Sequence, residues 1–479
     1  CERSIAKELS DFFTFTVPNY QFTPAYKNKI WDGQIRLYSV HTQLLYYGLR
    51  DYVYNFARER NYTVETDIEK PKINIPHKDV MSYILDEIQP TVNGTEIQPH
   101  EHQIDALTHA INKERCLLLS PTGSGKSLII YSLVRYYESI LPKDKKILII
   151  VPTTGLVSQM YNDFKDYSSK NKWNVDSKCH VIYAGQDKVT EKKVVISTWQ
   201  SLYKMSEKHF SQYGAVFGDE CHLFKSKSLT TLMTKLKDCK YRIGTTGTLD
   251  GTHTHKLVVE GLFGVVHNVT TTTKLIEKNL LSKLVIDCIN LQYPMKDIES
   301  VKRATYQDEI KWIITHEKRN AFITSLCSSM KGNTLLLFNF VEHHGKPLFN
   351  RIRSECGDRK VFFIHGGTDT EQREYIRKII DKEKNAILIA SYGTCSTGIN
   401  IKNIHNIIFS SPSKSVVRVL QSIGRGLRKS NDKDHVKLYD ISDNLNFKKH
   451  KNHTMRHFDE RIKIYNRENF VFNVFKIKL

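Results

Sequence analysis

The sequence predicts an α/β protein of two parallel-sheet domains in tandem, preceded by a small α+β domain and followed by a short helical extension. Three observations lead there. From residue 100 onward, short apolar runs alternate with amphipathic stretches, and they do so in two separate series. Runs of about four to six apolar residues between helical patterns mark strands buried on both faces. The 479 residues leave room for about three domains at roughly 150 residues each. Residues 1–90 break the alternation and crowd aromatic side chains instead.

Taken in order, the front holds Phe12, Phe13, Phe15, Tyr20, Phe22, Tyr26 and Trp31, then Ile35, Leu37, Tyr38, Leu44, Leu45, Tyr46 and Tyr47. This reads as one or two hairpins, with a helix over 51–60 and Trp31 in the core. Polar, proline-interrupted stretches at 65–76 and 89–99 close it. The first series of predicted strands is 116–119, 147–151, 194–197, 215–217 and 242–244. A threonine run at 270–283 separates it from the second series, 334–338, 361–364, 386–390, 404–409 and 436–439. The expected domains are 1–90, 91–280, 281–443 and a basic helical extension, 444–479. No internal repeat or low-complexity tract interrupts them.

Lys plus Arg number 71 against 51 Asp plus Glu, a net +20. Residues 1–90 carry 11 basic and 12 acidic side chains, net −1, so the rest carries +21. An excess of that size favours a polyanionic partner, usually nucleic acid. The nine cysteines are scattered without a C-x-x-C pair, which predicts reduced thiols and no structural metal. His343-His344 and His453 lack ligand partners at useful spacing. No apolar run approaches the roughly 20 residues that span a bilayer, so no membrane partner is expected. The opening residue is Cys1, which predicts a natural start upstream or removed by processing.

Ser120-Pro-Thr-Gly-Ser-Gly-Lys-Ser127 stands between a predicted strand and the apolar helix that begins at Leu128. Small residues at Thr122, Gly123, Ser124 and Gly125 let backbone N–H groups wrap phosphate oxygens at a helix start. Lys126 reaches toward β- and γ-phosphates, and the Ser127 hydroxyl can ligate Mg²⁺. Ser120 replaces the glycine of the strict pattern. Asp219-Glu-Cys-His222 follows another buried run, 93 residues after Lys126. A lone Asp-Glu pair is more often a solvated turn. After a buried strand in a phosphate-loop domain, Asp219 is expected to hold Mg²⁺ and Glu220 to deprotonate the attacking water.

These two motifs, in this order, resemble those of superfamily 2 helicases, and the resemblance spans about residues 95 to 445. It implies two RecA-like domains, ATP and Mg²⁺ as cofactors, and a role for each further motif. Gln103, in Gln98-Pro-His-Glu-His-Gln103, becomes the adenine-reading glutamine. Thr153 and Thr154 after Pro152, and Ser197-Thr198-Trp199, become contacts to a nucleic-acid backbone. Thr246-Gly-Thr248 couples hydrolysis to strand movement. In the second domain, Thr397, Gly398 and Asn400 belong to one motif, and Gln421, Arg425 and Arg428 to another. Gly398, Asn400, Arg425 and Arg428 are then nucleotide contacts, with both arginines as fingers. Spacings of four and three put Gln421, Arg425 and Arg428 on one helix face. Gly424 and Gly426 would weaken an ordinary surface helix.

Thr153, Thr154, Ser197, Thr198, Thr394 and Thr397 are candidate phosphate contacts, although hydroxyls at turns and caps are as common a use. Trp199 can stack on a base or pack in the core. Within 20–50, Lys27, Lys29, Arg36 and Arg50 face a single acid, Asp32, leaving +3. The front segment with Trp31-Asp-Gly33 and Arg36 narrows the resemblance to phage helicases acting on branched DNA. Lys27, Lys29 and Arg36 are then DNA contacts. The basic tail (Lys448, Lys449, Lys451, Arg456) reads equally as a further duplex contact or as a solvated helix face. The function implied is ATP-driven unwinding and remodelling of forks, Holliday junctions and R-loops in phage replication, recombination and repair. DNA is the expected partner, with RNA–DNA hybrid as a further substrate. A monomer in the cytoplasm of the bacterial host is expected. The competing readings are an RNA helicase, a restriction-system motor and a non-unwinding ATPase with the same motor.

Overall fold

The computed structural model describes residues 2–18, 20–67, 74–183, 187–224, 226–249, 253–398, 401, 403–413, 415–428, 433 and 435–479. The chain divides into two units, Cys1–Ser120 with Gly125–Val269, and Pro121–Ser124 with Thr270–Leu479. Among the described residues, no helix is long and apolar enough to cross a membrane.

The first unit opens with an antiparallel pair, β1 (Thr14–Thr16) and β2 (Gln34–Arg36). Gly33 enters β2 at φ +81°, and a Cβ there would fall 2.1 Å from the Tyr20 ring, so only glycine fits. Trp31 is half-buried and donates its indole N–H to the Gln34 carbonyl at 2.7 Å. Ala6, Leu9, Phe13, Leu37, Tyr38, Leu49 and Phe56 form a core that closes over Leu257 and Val258 of helix His253–Phe263. The front segment therefore shares its core with the domain behind it.

Helix His77–Ser82 and its π-helical continuation Tyr83–Ile88 place Val80, Ile84 and Ile88 in the main core of the first sheet. The core thus changes hands between residues 67 and 77, earlier than the boundary read at 90. The short hairpin β3 (Thr91–Val92) and β4 (Thr95–Glu96) follows.

The first large sheet comprises β5 (Arg115–Leu119), β6 (Lys146–Val151), β7 (Cys179–Ile182), β8 (Val194–Thr198), β9 (Tyr213–Gly218), β10 (Tyr241–Thr246) and β11 (Val266–Asn268). Its order is β11-β5-β10-β9-β6-β8-β7, and every pairing is parallel. All five predicted strands are present, each extended by one to three residues. The two the pattern does not show, β7 and β11, are the edge strands. One face of an edge strand meets solvent, so its apolar run is short.

The second unit repeats the plan with β12 (Lys283–Gln292), β13 (Thr334–Phe338), β14 (Val361–Ile364), β15 (Ile387–Ser391), β16 (Asn406–Phe409), β17 (His435–Asn444) and β18 (Phe472–Lys478). The order is β14-β15-β13-β16-β17-β12-β18, again parallel throughout. β12 lies where a boundary stretch was expected to end, and it pairs with β17 over ten residues. After residue 444 the chain forms one helix, His453–Arg467, and then β18, which adds a strand to the sheet rather than a helical extension. β18 is an exposed edge strand in which Lys and Asn interrupt the apolar residues, so it shows no buried run.

Candidate nucleotide and nucleic-acid site

Strand order assembles the candidate site. In the first unit β5, β10 and β9 are neighbours, and in a parallel sheet their C-terminal ends lie along one edge. The phosphate loop follows β5, Thr246-Gly-Thr248 ends β10, and Asp219-Glu220 follows β9. β6 and β8 come next in the sheet, so Thr153-Thr154 and Thr198-Trp199 continue the row.

Gly123 and Gly125 both sit at φ +86°, in the left-handed region open to glycine. A Cβ at Gly125 would fall 2.0 Å from Gln103 Nε2, so the Gln103 amide packs directly on the loop. The Gln103 Oε1 accepts from the His100 backbone N–H at 2.8 Å, tying the start of helix Glu101–Lys113 to the same residue. Ser124 donates to the Pro121 carbonyl at 2.7 Å, and Lys126 Nζ to the Ser120 carbonyl at 3.1 Å. Thr122 and Ser127 are half-buried, Ser127 in the first turn of helix Lys126–Ile140.

Asp219 is 9% exposed and accepts from the Thr245 hydroxyl at 2.8 Å and the Glu220 N–H at 3.0 Å. Burial, and next the neighbouring Glu220 charge, push its carboxyl up to about 6, while Lys126 and the Thr245 bond pull it back. At neutral pH this is a buried carboxylate whose charge a cation would relieve. Glu220 sits at φ +53°, unusual for a residue with a side chain. His222 Nδ1 lies 3.3 Å from Glu220 Oε2 and 3.1 Å from Thr246 Oγ1. Thr246 donates its own proton to the Thr248 carbonyl at 2.9 Å, so the shared proton belongs to His222 Nδ1. The family resemblance implied coupling through Thr246-Gly-Thr248, but the contact with His222 is visible only in three dimensions.

The candidate backbone contacts separate. Thr154 is exposed. Thr153 is the N-cap of helix Thr154–Tyr167 and accepts from the Leu156 N–H at 3.4 Å. Ser197 is fully buried and donates to the Ile182 and Thr198 carbonyls, so its hydroxyl is turned into the sheet and away from any phosphate. Thr198 pairs with Ser201 at 3.0 Å. Trp199 is half-buried against the first unit's second core and stacks edge-on with Tyr203. In the second unit Thr394 is 5% exposed and pairs with Ser391 at 2.8 Å, an internal bond of the turn after β15. Asn400, and the side chains of Thr397, Gly398 and Arg425, lie outside the described residues.

Helix Val416–Gly426 carries Gln421, which is buried, and Arg425 one turn on. Arg428 does not share this helix. Gly426 ends it, and Arg428 forms an antiparallel bridge with Leu281, beside the Leu427 carbonyl that accepts from Ser282 N–H at 2.8 Å. The cause is packing: a Cβ at Gly426 would fall 2.5 Å from Ile407, so the helix descends onto the sheet and stops. Lys433 donates to the freed Gly426 carbonyl at 2.7 Å, and burial lowers its ammonium to about 8. Sequence reading missed Lys433, because nothing local marks a lysine as a helix-terminal partner.

In the front segment Lys27 and Lys29 are exposed. Arg36 pairs with Asp32 at 2.5 Å, a bond that also holds the Asp32 carboxyl below its usual range.

Three family descriptions match successive parts of the chain: DNA helicase UvsW, N-terminal, over residues 1–67; type III restriction enzyme, res subunit, over 96–251; and helicase conserved C-terminal domain over 317–430. The ATP-dependent DNA helicase uvsW of Enterobacteria phage T4 is 35% identical over 491 residues, covering 98% of this chain and 95% of that protein. The crystal structure of T4 UvsW superposes with a TM-score of 0.51 at 32% identity, covering 100% of this chain and 96% of the other. The type ISP restriction-modification enzyme LlaBIII, solved bound to DNA, shares the fold at 13% identity with a TM-score of 0.57, over 79% of this chain and 31% of its own.

Proposed function

This chain belongs to the UvsW family of ATP-dependent DNA helicases, and from that premise we propose that it unwinds and remodels branched DNA: forks, Holliday junctions and R-loops. Family membership makes it a nucleic-acid-dependent ATPase with two RecA-like domains. One observation carries the finer reading. The front segment matched by the UvsW N-terminal description is built into the first unit's core through Leu257 and Val258, so a surface outside the motor moves with it.

The residues fit ATP with Mg²⁺. The two left-handed glycines leave a backbone cradle, and buried Asp219 is poised to face a cation. Bound there, ATP supplies the phosphoanhydride whose cleavage drives movement. Lys126 would hold the β- and γ-phosphates, and Ser127 and Asp219 the Mg²⁺. Glu220 orients a water and accepts its proton. His222, hydrogen-bonded to Thr246 and 3.3 Å from Glu220, links Glu220 to the loop at the end of β10. Arg425 and Arg428 serve the γ-phosphate from the second domain, and Thr154 contacts the DNA backbone. We place Lys27, Lys29 and Arg36 on a duplex arm, and the protein as a monomer in the host cytoplasm.

Lys126→Ala and Glu220→Gln should abolish steady-state ATP turnover, with Glu220→Gln still binding ATP. Arg425→Ala should lower kcat by about 10³-fold with little change in nucleotide affinity. The deciding experiment measures ATPase and unwinding on single strand, duplex, fork, four-way junction, RNA–DNA hybrid and RNA. Preference for the branched DNAs is expected. Equal activity on unbranched DNA would leave a helicase without branch selectivity, and stimulation by RNA alone would make it an RNA helicase.

A further inference from the structure

A cavity of about 840 Å³ lies within the first unit, between the front segment and the sheet domain. Leu44, Leu45 and Tyr46 form one wall, and helix Lys227–Lys235 with Val258 and Leu262 forms the other. Arg115 and Arg242 line it as well. They are the first residue of β5 and the second of β10, so the cavity opens at the N-terminal edge of the sheet. The phosphate loop and the candidate backbone contacts are at the other edge, about 16 Å away along the five residues of β5.

The charge in this cavity has one sign. Five cationic side chains line it, and no acidic one does. Arg36 is paired with Asp32, and Lys237 with Glu207. Among the described residues, Arg115, Arg242 and Lys227 form no ion pair. Instead the two guanidiniums are held in place by carbonyls. Arg115 donates to Lys240 and Cys239, both at 3.0 Å, and Arg242 to Met233 at 3.2 Å and Leu236 at 2.5 Å. Tyr47 lies flat against Arg115, 4.5 Å from ring centre to guanidinium, and Arg50 approaches the same ring at 5.0 Å. Carbonyls fix an arginine without neutralising it. Exposed Thr231 and Thr234 add hydroxyls along the wall.

We propose that this cleft is a second nucleic-acid site, which takes the phosphate backbone of a duplex arm while the opposite edge of the sheet handles the translocated strand. Arg115 and the buried Arg242, bonded to carbonyls, supply fixed positive charge, and the exposed lysines and short hydroxyls are the donors that hold phosphate and sugar without reading bases. The proposal rests on the branched-DNA reading and gives that reading its second point of contact, since two edges of one rigid sheet meet different parts of a branch.

The test uses the full-length protein and plain duplex DNA, with Lys227→Ala/Lys237→Ala as one variant and Thr234→Glu as the other. All three positions are exposed, so folding is spared. Duplex affinity is measured against salt. In the double variant Lys227 gives up about one counterion and Lys237, already held by Glu207, less than one, so the log–log salt slope should be shallower by at least roughly 0.9. Thr234→Glu should weaken duplex binding most at low salt. Single-strand-stimulated ATPase should be unchanged in both. Unaltered duplex affinity and slope would overturn the proposal. An equal loss of single-strand affinity would overturn it too, by merging the cleft with the strand track. So would loss of binding to a polyglutamate peptide with DNA binding intact, which would make this an acidic-peptide surface. If the unaltered protein bound forks no better than single strand, the branched-DNA reading would fail while the duplex salt slope still judged the cleft.

Discussion

The two ends of the chain are both packed through apolar clusters, and differ in the buried charge that accompanies them. The front segment joins the first unit through an apolar cluster and a part-buried polar contact, the Tyr52 hydroxyl donating to Glu260 at 2.7 Å. Glu260 is fully buried and also accepts from the Val266 N–H at 2.9 Å. The C-terminal segment also packs apolar side chains, Met455, Phe458, Ile464, Tyr465 and Phe470, into the core of the second unit, but adds buried charge. Asp440 receives Arg461 Nε at 2.8 Å and Tyr465 Oη at 2.8 Å, and Arg461 also donates to the Ser413 carbonyl at 2.9 Å. At the start of the same helix, Glu309 accepts from Asn452, from the backbone of His453 and Thr454, and from the Thr454 hydroxyl. Apolar contact is non-directional and tolerates change. Buried ion pairs hold one geometry and fail sharply when one partner goes. The tail is therefore a fixed part of the second sheet, and the front segment a more adaptable attachment.

The largest expected effect breaks the tail. Asp440→Asn leaves Arg461 buried without its counter-charge and should cost about 3–5 kcal/mol, read by denaturant unfolding. A loss under about 1 kcal/mol would show that the pair is solvated and the contrast overstated. Next comes the front. Tyr52→Phe removes one donor from buried Glu260 and should cost about 1–3 kcal/mol, with faster proteolysis between residues 59 and 77. Removing the front altogether bears on function. Thr91 bonds to Ser169 at 2.8 Å, and helix His77–Ser82 belongs to the sheet core, so the cut belongs near residue 74 rather than 91. Such a truncation bares Leu257 and Val258, so Val258→Ser should accompany it. We expect single-strand-stimulated ATPase to persist and preference for forks and junctions to fall.

The smallest effect is a pH dependence in the first unit. His109 stacks on His267 with ring centres 3.8 Å apart, and burial, then the His267 charge, lower its imidazole to about 4. The folded value lies below the unfolded one. The stabilisation is therefore complete above about pH 6.5 and is lost as pH falls toward 4. Discounted for partial exposure, it amounts to about 1–2 kcal/mol. His109→Phe should flatten stability across that window, and an unchanged slope would place the titration elsewhere.

How far the sequence reached can be judged residue by residue. Strands β5, β6, β8, β9 and β10, and the second-sheet strands β13, β15, β16 and β17, were legible because burial on both faces leaves an apolar run, and the part-buried edge strand β14 because Val361-Phe-Phe-Ile364 is apolar throughout. The candidate phosphate loop and Asp219-Glu220 were legible because the chemistry proposed for them needs particular small or acidic residues at fixed spacing. Edge strands β7, β11 and β18 were not, since a strand with one paired edge can form with a short or interrupted apolar run, as these three do. Arg428 fell outside its expected helix face because spacing cannot register that Gly426 lies against Ile407 and ends the helix.

The residues by themselves thus determined the fold class and marked out the candidate phosphate loop, Lys126 and Asp219-Glu220, all set by local composition and covalent spacing. Tertiary structure alone decided what each hydroxyl and charge meets. It turned Ser197 inward, brought His222 between Glu220 and Thr246, closed Glu309 over a helix start 143 residues away, and gathered Arg115 and Arg242 at one edge of a sheet. Those outcomes depend on strand order and on packing between distant segments, and neither is encoded in the neighbourhood of any one residue.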